Sequence, residues 1–453
     1  MLRVRRKLRG LLVGGLFLAG ASPQPAVAAA AAVLIVQGRV EDEAGRPLSG
    51  AALRLYATIG QREAGALQLA GRFPPPPLAE AKSDGTGSYR LDVPGPGVYR
   101  LVASAEGKAP RQMLLQPLVE ESWLPAATLA ADAAITVTVV DAAGKPVAGA
   151  AVVAQTQRGT ARALGGWELA SALTVTDAHG VAAVHRRSGE RLDVSAAGAG
   201  LALAEAKGVG VSSVRLELVS GSSRQLLVVT GDGRPAADAA LMVAGSGLPL
   251  ARSDNAGRAT IATRGRDPLA LQVEGAAGER ARVTLLPPDP HEQPRPLRVE
   301  LERTTRLHGR VIDAESRQPL AGAVVVLQAL PERHAVTDGA GSYTVEGVAA
   351  RGHAWLLVGA AAHFRADVDV AEAQSVAGVA PTAALAPAGA LLGSVSDPRG
   401  RPLADVEVSA APAPERPGMG SRWSFFGQGQ TRSDTRGRFR LSPLSTEGRL
   451  RVV

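Results

Sequence analysis

The 453-residue chain contains no cysteine, few aromatic residues and few lysines. Without cysteine it cannot form disulfides, so packing alone must stabilise its domains if the chain is exported. The missing thiol also excludes a lipid-modified N-terminal cysteine. Aromatic residues make up 3% of the chain, so Val, Leu and Ala must fill the hydrophobic cores. No lysine follows Lys207, which excludes Lys–Asn isopeptide cross-links beyond that residue.

Motifs that carry catalytic or metal chemistry are also missing from the sequence. None of the seven histidines is followed three residues later by Glu, which excludes the His-x-x-Glu pair of zinc carboxypeptidases. Four histidines lie between His308 and His363, without the spacing of a compact metal site. No Gly-x-Ser-x-Gly elbow, phosphate loop or dinucleotide fingerprint is present. We therefore expect no enzymatic activity, no cofactor and no bound metal.

The N-terminus has the three parts of a secretory signal peptide. A basic segment from Arg3 to Arg9 precedes an apolar run at 11–19 (LLVGGLFLA) that is too short to span a bilayer comfortably. Ala26-Val27-Ala28 then supplies the small residues of a cleavage site, so we predict a signal peptide at 1–28. A permanently anchored N-terminal helix is the alternative.

Cleavage near Ala28 would make the mature protein much less basic than the full sequence. It would remove five positive charges and no negative ones, which lowers the net charge from +8 to +3. Nucleic-acid binding needs a concentrated basic surface with stacking aromatics, and the mature sequence shows neither. We therefore expect no nucleic-acid partner and no stable transmembrane segment after cleavage.

Two sequence anchors recur five times in the rest of the chain. The first reads Gly-x-Val-x-Asp-x-x-Gly-x-Pro in its fullest form. Its prolines lie 99, 89, 84 and 83 residues apart and are Pro47, Pro146, Pro235, Pro319 and Pro402. The second anchor is Asp-x-x-Gly preceded by Ser or Thr. Its five copies are Asp84 and Gly87, Asp177 and Gly180, Asp254 and Gly257, Asp338 and Gly341, and Asp434 and Gly437.

Asp-x-x-Gly is typical of a type I turn, in which the Asp accepts backbone hydrogen bonds and the Gly tolerates a positive φ. One carboxylate per turn is too few for the oxygen shell of a calcium ion. We therefore predict that the ten residues of the second anchor form structural turns rather than metal sites.

Segments beside the anchors alternate apolar and polar residues, as in residues 34–41 (LIVQGRVE), which predicts strands with one buried face. No segment has the length and periodicity of a long amphipathic helix. The sequence therefore predicts an all-β fold, a tandem array of about five Ig-like or transthyretin-like antiparallel β-sandwich modules after the signal peptide. The predicted modules 1 to 5 span residues 33–131, 133–220, 223–303, 304–387 and 388–453.

The short linkers between these modules predict a semi-rigid rod. The last module ends soon after its second anchor, whereas modules 1 and 4 continue through a further strand. We therefore expect module 5 to be incomplete. Either the chain is a fragment of a longer protein, or an open sheet edge in module 5 accepts a strand donated by a partner.

The two anchors together, Gly-x-Val-x-Asp-x-x-Gly-x-Pro-Leu-x-Gly-Ala followed by Ser/Thr-Asp-x-x-Gly-x-Tyr/Phe, resemble carboxypeptidase regulatory-like domains, whose fold is transthyretin-like. The resemblance covers nearly the whole mature chain. It implies non-catalytic modules of the kind that accompany enzymes, receptors or surface proteins, sometimes as carbohydrate-binding-like folds. Modules 2 and 3 depart most from the pattern, since Val137 and Asp238 replace glycines there.

Two insertions are candidate binding regions, because ligands are often bound by loops on a rigid scaffold. Module 5 inserts residues 411–430, in which three aromatics lie within four residues. The residues predicted to bind a ligand are Arg422, Trp423, Phe425 and Phe426. If exposed, the aromatics would stack on sugar rings or anchor a protein partner; the alternative is that they complete the core of module 5. Module 1 inserts residues 58–81, whose proline run at 74–77 predicts a stiff polyproline II loop.

The sequence as a whole predicts an exported, non-catalytic structural or binding protein, and the preference for Arg over Lys suggests a bacterial gene. Its location would be secreted, periplasmic or at the cell surface. Its loops would recognise a carbohydrate, such as a cell-wall or extracellular polysaccharide, or a protein. The alternative is an accessory stalk of a longer exported enzyme or outer-membrane receptor whose functional domain lies beyond Val453.

Overall fold

The computed structural model describes residues 33–156, 168–169, 172–198, 200–264, 268–287, 295–404, 406–412, 429–433, 436–444 and 450–452. In these residues the chain forms pairs of small β-sheets, one pair after another, with two short helices. The predicted all-β class and the tandem β-sandwich architecture are confirmed. We keep the names modules 1 to 5 for the ranges given above.

Module 1 consists of a sheet centred on its first strand and a second sheet centred on β2 and β5. Its elements are β1 (Leu34–Asp42), β2 (Ala52–Ala57), α1 (Gln61–Leu69), β3 (Ala79–Lys82), β4 (Ser88–Val93), β5 (Gly97–Ser104), β6 (Arg111–Leu118), β7 (Ser122–Trp123) and β8 (Ala127–Leu129). In the first sheet β1 pairs with β4, β7 and β8; in the second the order is β3-β2-β5-β6. Helix α1 was not predicted, and it precedes the proline run of the inserted region.

Modules 2 and 3 each have a three-stranded and a four-stranded sheet. The strands of module 2 are β9 (Ile135–Asp141), β10 (Ala151–Thr156), β11 (Glu168–Leu169), β12 (Ala172–Val175), β13 (Val181–Val184), β14 (Leu192–Ala197), β15 (Ala204–Val209) and β16 (Ser213–Leu218). Those of module 3 are β17 (Ser222–Val229), β18 (Ala240–Val243), β19 (Pro249–Arg252), β20 (Arg258–Thr263), β21 (Leu269–Glu274), β22 (Arg280–Leu285) and β23 (Leu297–Glu300). The strand orders are β13-β9-β16 and β12-β10-β14-β15 in module 2, and β20-β17-β23 and β19-β18-β21-β22 in module 3. Strand β11 instead extends the second sheet of module 1 by pairing with β6.

Module 4 repeats this arrangement, and module 5 shows part of it. The elements of module 4 are β24 (Thr304–Asp313), β25 (Val324–Leu327), β26 (His334–Val336), β27 (Ser342–Ala349), β28 (Ala354–Gly359), β29 (Ala366–Val370), α2 (Glu372–Ala377) and β30 (Ala383–Leu385). Those of module 5 are β31 (Gly389–Ser394), β32 (Glu407–Pro412), β33 (Gly429–Arg432), β34 (Arg438–Leu444) and β35 (Leu450–Val452). The orders are β27-β24-β30 and β26-β25-β28-β29 in module 4. In the described part of module 5 they are β31-β34 and β33-β32-β35.

The sheets are mainly antiparallel, as predicted, and modules 1 to 4 add parallel pairs at one edge of the first sheet; module 1 has two of them, β7 and β8 beside β1. The last strand of the module pairs in parallel with the first, as β8 does with β1 and β16 with β9; β23 and β30 do the same in modules 3 and 4. The chain reaches this edge by crossing from the other sheet, and such a crossover is the connection that parallel pairing requires.

The glycine of the first anchor and the aromatic of the second anchor pair across neighbouring strands. Gly38 lies opposite Tyr89, and a Cβ atom on Gly38 would be 2.5 Å from the tyrosine hydroxyl oxygen. The ring therefore occupies the space that a side chain at Gly38 would need. The equivalent pairs in modules 4 and 5 are Gly309 with Tyr343 and Gly393 with Phe439. Modules 2 and 3 reverse the sizes, with Val137 opposite Ala182 and Leu226 opposite Ala259.

A buried hydroxyl group joins two strands in all five modules. Ser83, directly before the Asp of the second anchor, donates a hydrogen bond to the Leu48 carbonyl oxygen (2.6 Å) and accepts one from the Ala51 amide (2.9 Å). The corresponding residues are Thr176, Ser253, Thr337 and Ser433. This side chain satisfies backbone groups at the start of the second strand, where proline interrupts the sheet.

The modules also pack against one another through the outer faces of their second sheets. Between modules 2 and 3 this contact buries Ala151, Val153 and Ala197 with Val243 and Leu248. The covered strands contain continuous apolar runs: β10 begins AVVA, β18 is ALMV and β25 is VVVL, and every one of these residues is buried. Such runs are typical of strands covered on both faces.

Module 1 packs in the same way against module 4, its third neighbour in sequence. Val98 is buried with Val324, Val326 and Leu357. Arg365 of module 4 donates hydrogen bonds to backbone carbonyl oxygens of β6 in module 1, at 3.3 and 3.1 Å. The expected semi-rigid rod, in which a module touches only its sequence neighbours, is therefore wrong for these modules.

Helix α1 joins module 1 to module 3. The Arg62 guanidinium group forms an ion pair with the Asp238 carboxylate, which also binds Arg252. Gln272 donates a hydrogen bond to Gln61 (3.2 Å). Asp238 has a φ of +54°, a left-handed conformation that Asp tolerates better than most side chains. The equivalent residues in modules 1, 2 and 4 are Gly50, Gly149 and Gly322. The departure of Asp238 from the repeat thus supplies the partner of α1.

Candidate functional site

The four residues predicted to bind a ligand lie outside the described residues. They are Arg422, Trp423, Phe425 and Phe426. Their role in binding stays a prediction, as does the alternative that they complete the core of module 5. Asp434 of the last predicted turn also lies outside the described residues, whereas its partner Gly437 has a φ of +71°.

The four described Asp-x-x-Gly turns direct their carboxylates at their own backbone. Asp84 Oδ1 accepts hydrogen bonds from the amides of Thr86 (2.8 Å) and Ser88 (3.0 Å). Gly87 has a φ of +77°, and a side chain there would collide with the carbonyl oxygen of Val40. The same hydrogen bonds occur at Asp177, Asp254 and Asp338, and Gly180, Gly257 and Gly341 share the positive φ. In this geometry Oδ1 of each carboxylate stabilises the backbone of its own turn.

Hydrogen bonds to the charged form lower the pKa of two of these turn carboxylates, Asp84 and Asp177. The Thr86 hydroxyl, followed by the Thr86 amide, lowers the pKa of Asp84 below its ordinary value. For Asp177 the main cause of the lower pKa is the amide of Val181. Asp84 and Asp177 are therefore ionised acceptors at neutral pH, not general acids.

The Asp of the first anchor has a different partner in module 4. Asp313 Oδ2 lies 2.8 Å from Nε2 of His363, and both side chains are largely buried. The amide of Ser316 and then His363 lower the pKa of Asp313 to about 2. In modules 1 and 5 the equivalent acids pair with Arg46 and Arg401. His363 thus closes the first-anchor turn where the usual arginine is missing.

The histidines that drew attention in the sequence are spread over module 4 and bind separate partners. In the parts of the chain that the structure describes, no group of three or more His, Cys, Asp or Glu side chains could hold a metal ion.

Neither described helix has the length and apolar character needed to cross a membrane.

A cavity of about 190 Å³ lies where α1 faces modules 2 and 3. Its apolar wall includes Leu69, Ala197 and Met242, and its polar rim is formed by Arg62 and Arg252. Both arginines are paired with the Asp238 carboxylate, and these ion pairs stabilise the contact between the modules.

An exposed tryptophan on the outer face of module 4 lies among organised polar side chains. Trp355 is 47% exposed and belongs to β28. It pairs across the strands with Asp369, whose Oδ1 atom lies 2.8 Å from Nδ1 of His353. Gln328 donates a side-chain hydrogen bond to Asp367. We call these five residues the Trp355 surface.

The alternation of β28 explains the position of this tryptophan. Leu356 and Val358 face the core of module 4, so Trp355 and Leu357 face outward. Module 1 covers Leu357, which is 7% exposed, and leaves Trp355 open. Trp355 was not predicted from the sequence as a binding residue, because an aromatic within an apolar strand is more often a core residue. The sequence feature that could have identified Trp355 is its position two residues after His353 and shortly before β29, which contains Asp367 and Asp369.

Comparison with known proteins identifies no family. No protein-family model matches the chain, and no curated protein matches it. The resemblance to carboxypeptidase regulatory-like domains therefore stays a prediction.

Among solved structures, the shaft pilin SpaA from Lactobacillus rhamnosus GG is 11% identical, over 42% of this chain and 98% of that chain, with a TM-score of 0.19. BcpA, the major pilin subunit of Bacillus cereus, is 11% identical over 56% and 99%, with a TM-score of 0.18. A streptococcal ancillary pilin is 9% identical over 60% and 98%, with a TM-score of 0.17. TM-scores this low support no conclusion about a shared arrangement or function.

Proposed function

We propose that the chain is an exported, non-catalytic binding protein whose modules are packed together so that their surfaces hold fixed positions. The observation that carries this proposal is the packing of module 1 on module 4. Val324 and Val326 are fully buried there, although both are outward-facing residues of their own sheet. Independent modules on a flexible chain would expose these side chains to water.

Apolar burial of this kind favours a fixed arrangement. Each valine that is fully buried contributes about 1.5–3 kcal/mol relative to an exposed one. The hydrogen bonds of Arg365 add direction to the contact, because they end on two particular carbonyl oxygens of β6. Surfaces on modules 1 and 4 therefore keep a constant relation to each other, which suits presentation of binding residues to an extended ligand.

The surfaces available for binding are the Trp355 surface and the predicted aromatic segment with Trp423. Carbohydrate or protein recognition, at an extracytoplasmic location, is the role we assign to them. Export is supported by the signal-peptide features of residues 1–28.

Export is tested by expressing the full chain in a Gram-negative host and sequencing the N-terminus of the protein recovered outside the cytoplasm. We expect cleavage near Ala28. The variant Leu16→Arg, which interrupts the apolar run, should remain uncleaved in the cytoplasm. An uncleaved wild-type chain in the cytoplasm would contradict the proposal.

The fixed arrangement is tested with Val326→Asp, which places a charge in the contact between modules 1 and 4. Hydrogen exchange of β5 and β6 in module 1 should become faster, because burial of an unpaired charge is strongly unfavourable. The matched control is Val336→Asp on the neighbouring strand, since Val336 is 45% exposed. Equal exchange in both variants would show that the modules do not depend on this contact.

A further inference from the structure

We propose that the Trp355 surface binds a neutral pyranose ring of a polysaccharide, which stacks on the indole and hydrogen-bonds to the carboxylates beside it. This inference rests on the proposed binding function and names its ligand class.

The indole offers a flat apolar face on a rigid support. β28 is an inner strand, held by β25 on one side and β29 on the other. The core beneath it includes Leu356 and Val358, both fully buried. Trp355 is the one aromatic residue among the large hydrophobic side chains exposed in the described residues. An amphipathic ring fixed in this way can contact the C–H face of a sugar without a loss of backbone entropy.

Two hydrogen-bonded pairs flank the indole. Gln328, at the end of β25, reaches across β28 to donate to Asp367 on β29. On the other side, His353 pairs with Asp369. In both pairs only Oδ1 of the Asp is engaged, so Oδ2 remains an acceptor for hydroxyl groups. The partners hold the carboxylates in place before a ligand arrives, which reduces the entropy lost on binding.

The arrangement favours a sugar over a cation. A point charge is best matched by carboxylates that have no other donor, whereas Asp367 and Asp369 each already accept a hydrogen bond. The Gln328 amide and the His353 ring add donor and acceptor atoms beside these carboxylates. A hydroxyl group both donates and accepts, so neighbouring hydroxyls of a pyranose match this mixed set. A lysine-rich or quaternary-ammonium ligand would use only the charge and the ring.

The test measures binding of the full chain to cello-, malto-, xylo- and galacto-hexasaccharides by calorimetry and tryptophan fluorescence. We expect at least one hexasaccharide to bind, with binding that changes little with salt. Trp355→Ala should weaken it about tenfold or more, because the stacking contact is lost. Trp355→Phe should retain part of the affinity, and Asp367→Asn with Asp369→Asn should weaken it with the ring intact.

Leu392→Ala is the matched control, since Leu392 is 72% exposed and lies in module 5; it should bind as the wild type does. Binding that survives Trp355→Ala, or no binding of any hexasaccharide, would overturn the inference. So would salt-sensitive binding of poly-lysine or choline in place of sugars. Hydrogen exchange at the contact of modules 1 and 4 is measured on the same samples. If it remains slow, failure of sugar binding leaves the proposed scaffold function intact.

Discussion

Modules 1 and 2 fill the same core position with opposite distributions of side-chain volume over two neighbouring strands. In module 1 a glycine faces a tyrosine, Gly38 and Tyr89; in module 2 a valine faces an alanine, Val137 and Ala182. The side chains of Tyr89, Val137 and Ala182 are at most 5% exposed, and Gly38 has no side chain. The feature shared by the modules is therefore the combined volume of the pair, not the identity of either residue. A repeat can lose both of its signature residues and keep its fold when they change together.

The largest effect on stability is expected when the large side chain of this pair is removed. Tyr89→Ala should lower the free energy of unfolding of module 1 by about 3–5 kcal/mol, because it leaves a cavity beside a residue with no side chain. Adding Gly38→Val recreates the pair of module 2 and should recover part of the loss. Native-state hydrogen exchange of β1 and β4 measures both variants. Strictly additive effects would show that the two positions do not share volume.

Both modules contain a buried hydroxyl group directly before the Asp of the second anchor. Its removal provides a reference for the effect of the Gly–aromatic pair. Ser83→Ala in module 1 and Thr176→Val in module 2 should each cost about 1–3 kcal/mol, since backbone groups at the start of the second strand lose their partner. The two costs should be similar, although the Gly–aromatic pair is present in only one of the modules. Exchange rates of β2 and β10 amides report them. A large difference would mean that the packing pair controls the hydroxyl contact as well.

A smaller effect on stability is expected when only the hydroxyl group of the tyrosine is removed. The Tyr343 hydroxyl is buried without a hydrogen-bond partner in the described residues, and burial raises the pKa of Tyr343 to about 12. Module 5 has Phe439 at this position. Tyr343→Phe should therefore stabilise module 4 by up to about 1 kcal/mol, as measured by exchange of β24 and β27. Destabilisation would show that the hydroxyl has a partner after all.

The smallest effect concerns the first-anchor turn. His363 contacts Asp313 in module 4, whereas Asp141 in module 2 bonds to backbone amides. Because the folded-state pKa of Asp313, about 2, lies below the ordinary value of about 3.9, its stabilising contribution is complete above about pH 4. That contribution is lost as the pH falls through about 2.

Module 4 should thus lose stability in acid, and Asp313→Asn should reduce this pH dependence. Circular dichroism melts of the two proteins between pH 2 and 5 measure the difference. The same slope in both would assign the acid sensitivity to other carboxylates.

The sequence predicted the parts of the fold that depend on local chemistry. The Asp-x-x-Gly turns, the strands beside them and the five repeats are encoded within short segments, in which Asp84 and Gly87 have one dominant conformation available. Contacts between modules could not be predicted in the same way. Whether Val326 is covered by module 1 depends on how two sheets that are far apart in sequence pack together. The repeat pattern contains no information about this packing.

The Trp355 surface was missed for a similar reason. Its five residues come from two strands, β28 and β29, and from the loops after β25 and before β28, so the pairing of β25, β28 and β29 brings them together. The linear cluster with Trp423 attracted attention because its aromatics are adjacent in sequence. Exposure is a property of the assembled modules, and it separates Trp355 from the buried Leu357 two residues later.

The ion pair between Arg62 and Asp238 has a consequence for how such an array can change in evolution. Tandem repeats commonly gain or lose units when similar gene segments recombine, and a chain of interchangeable modules tolerates this. Here the third unit carries an aspartate that pairs with an arginine on the helix of the first unit, and the fourth unit carries the apolar face that packs on the first. Deletion or duplication of one unit would bring unmatched surfaces together, so the packed arrangement requires the number and order of the first four units.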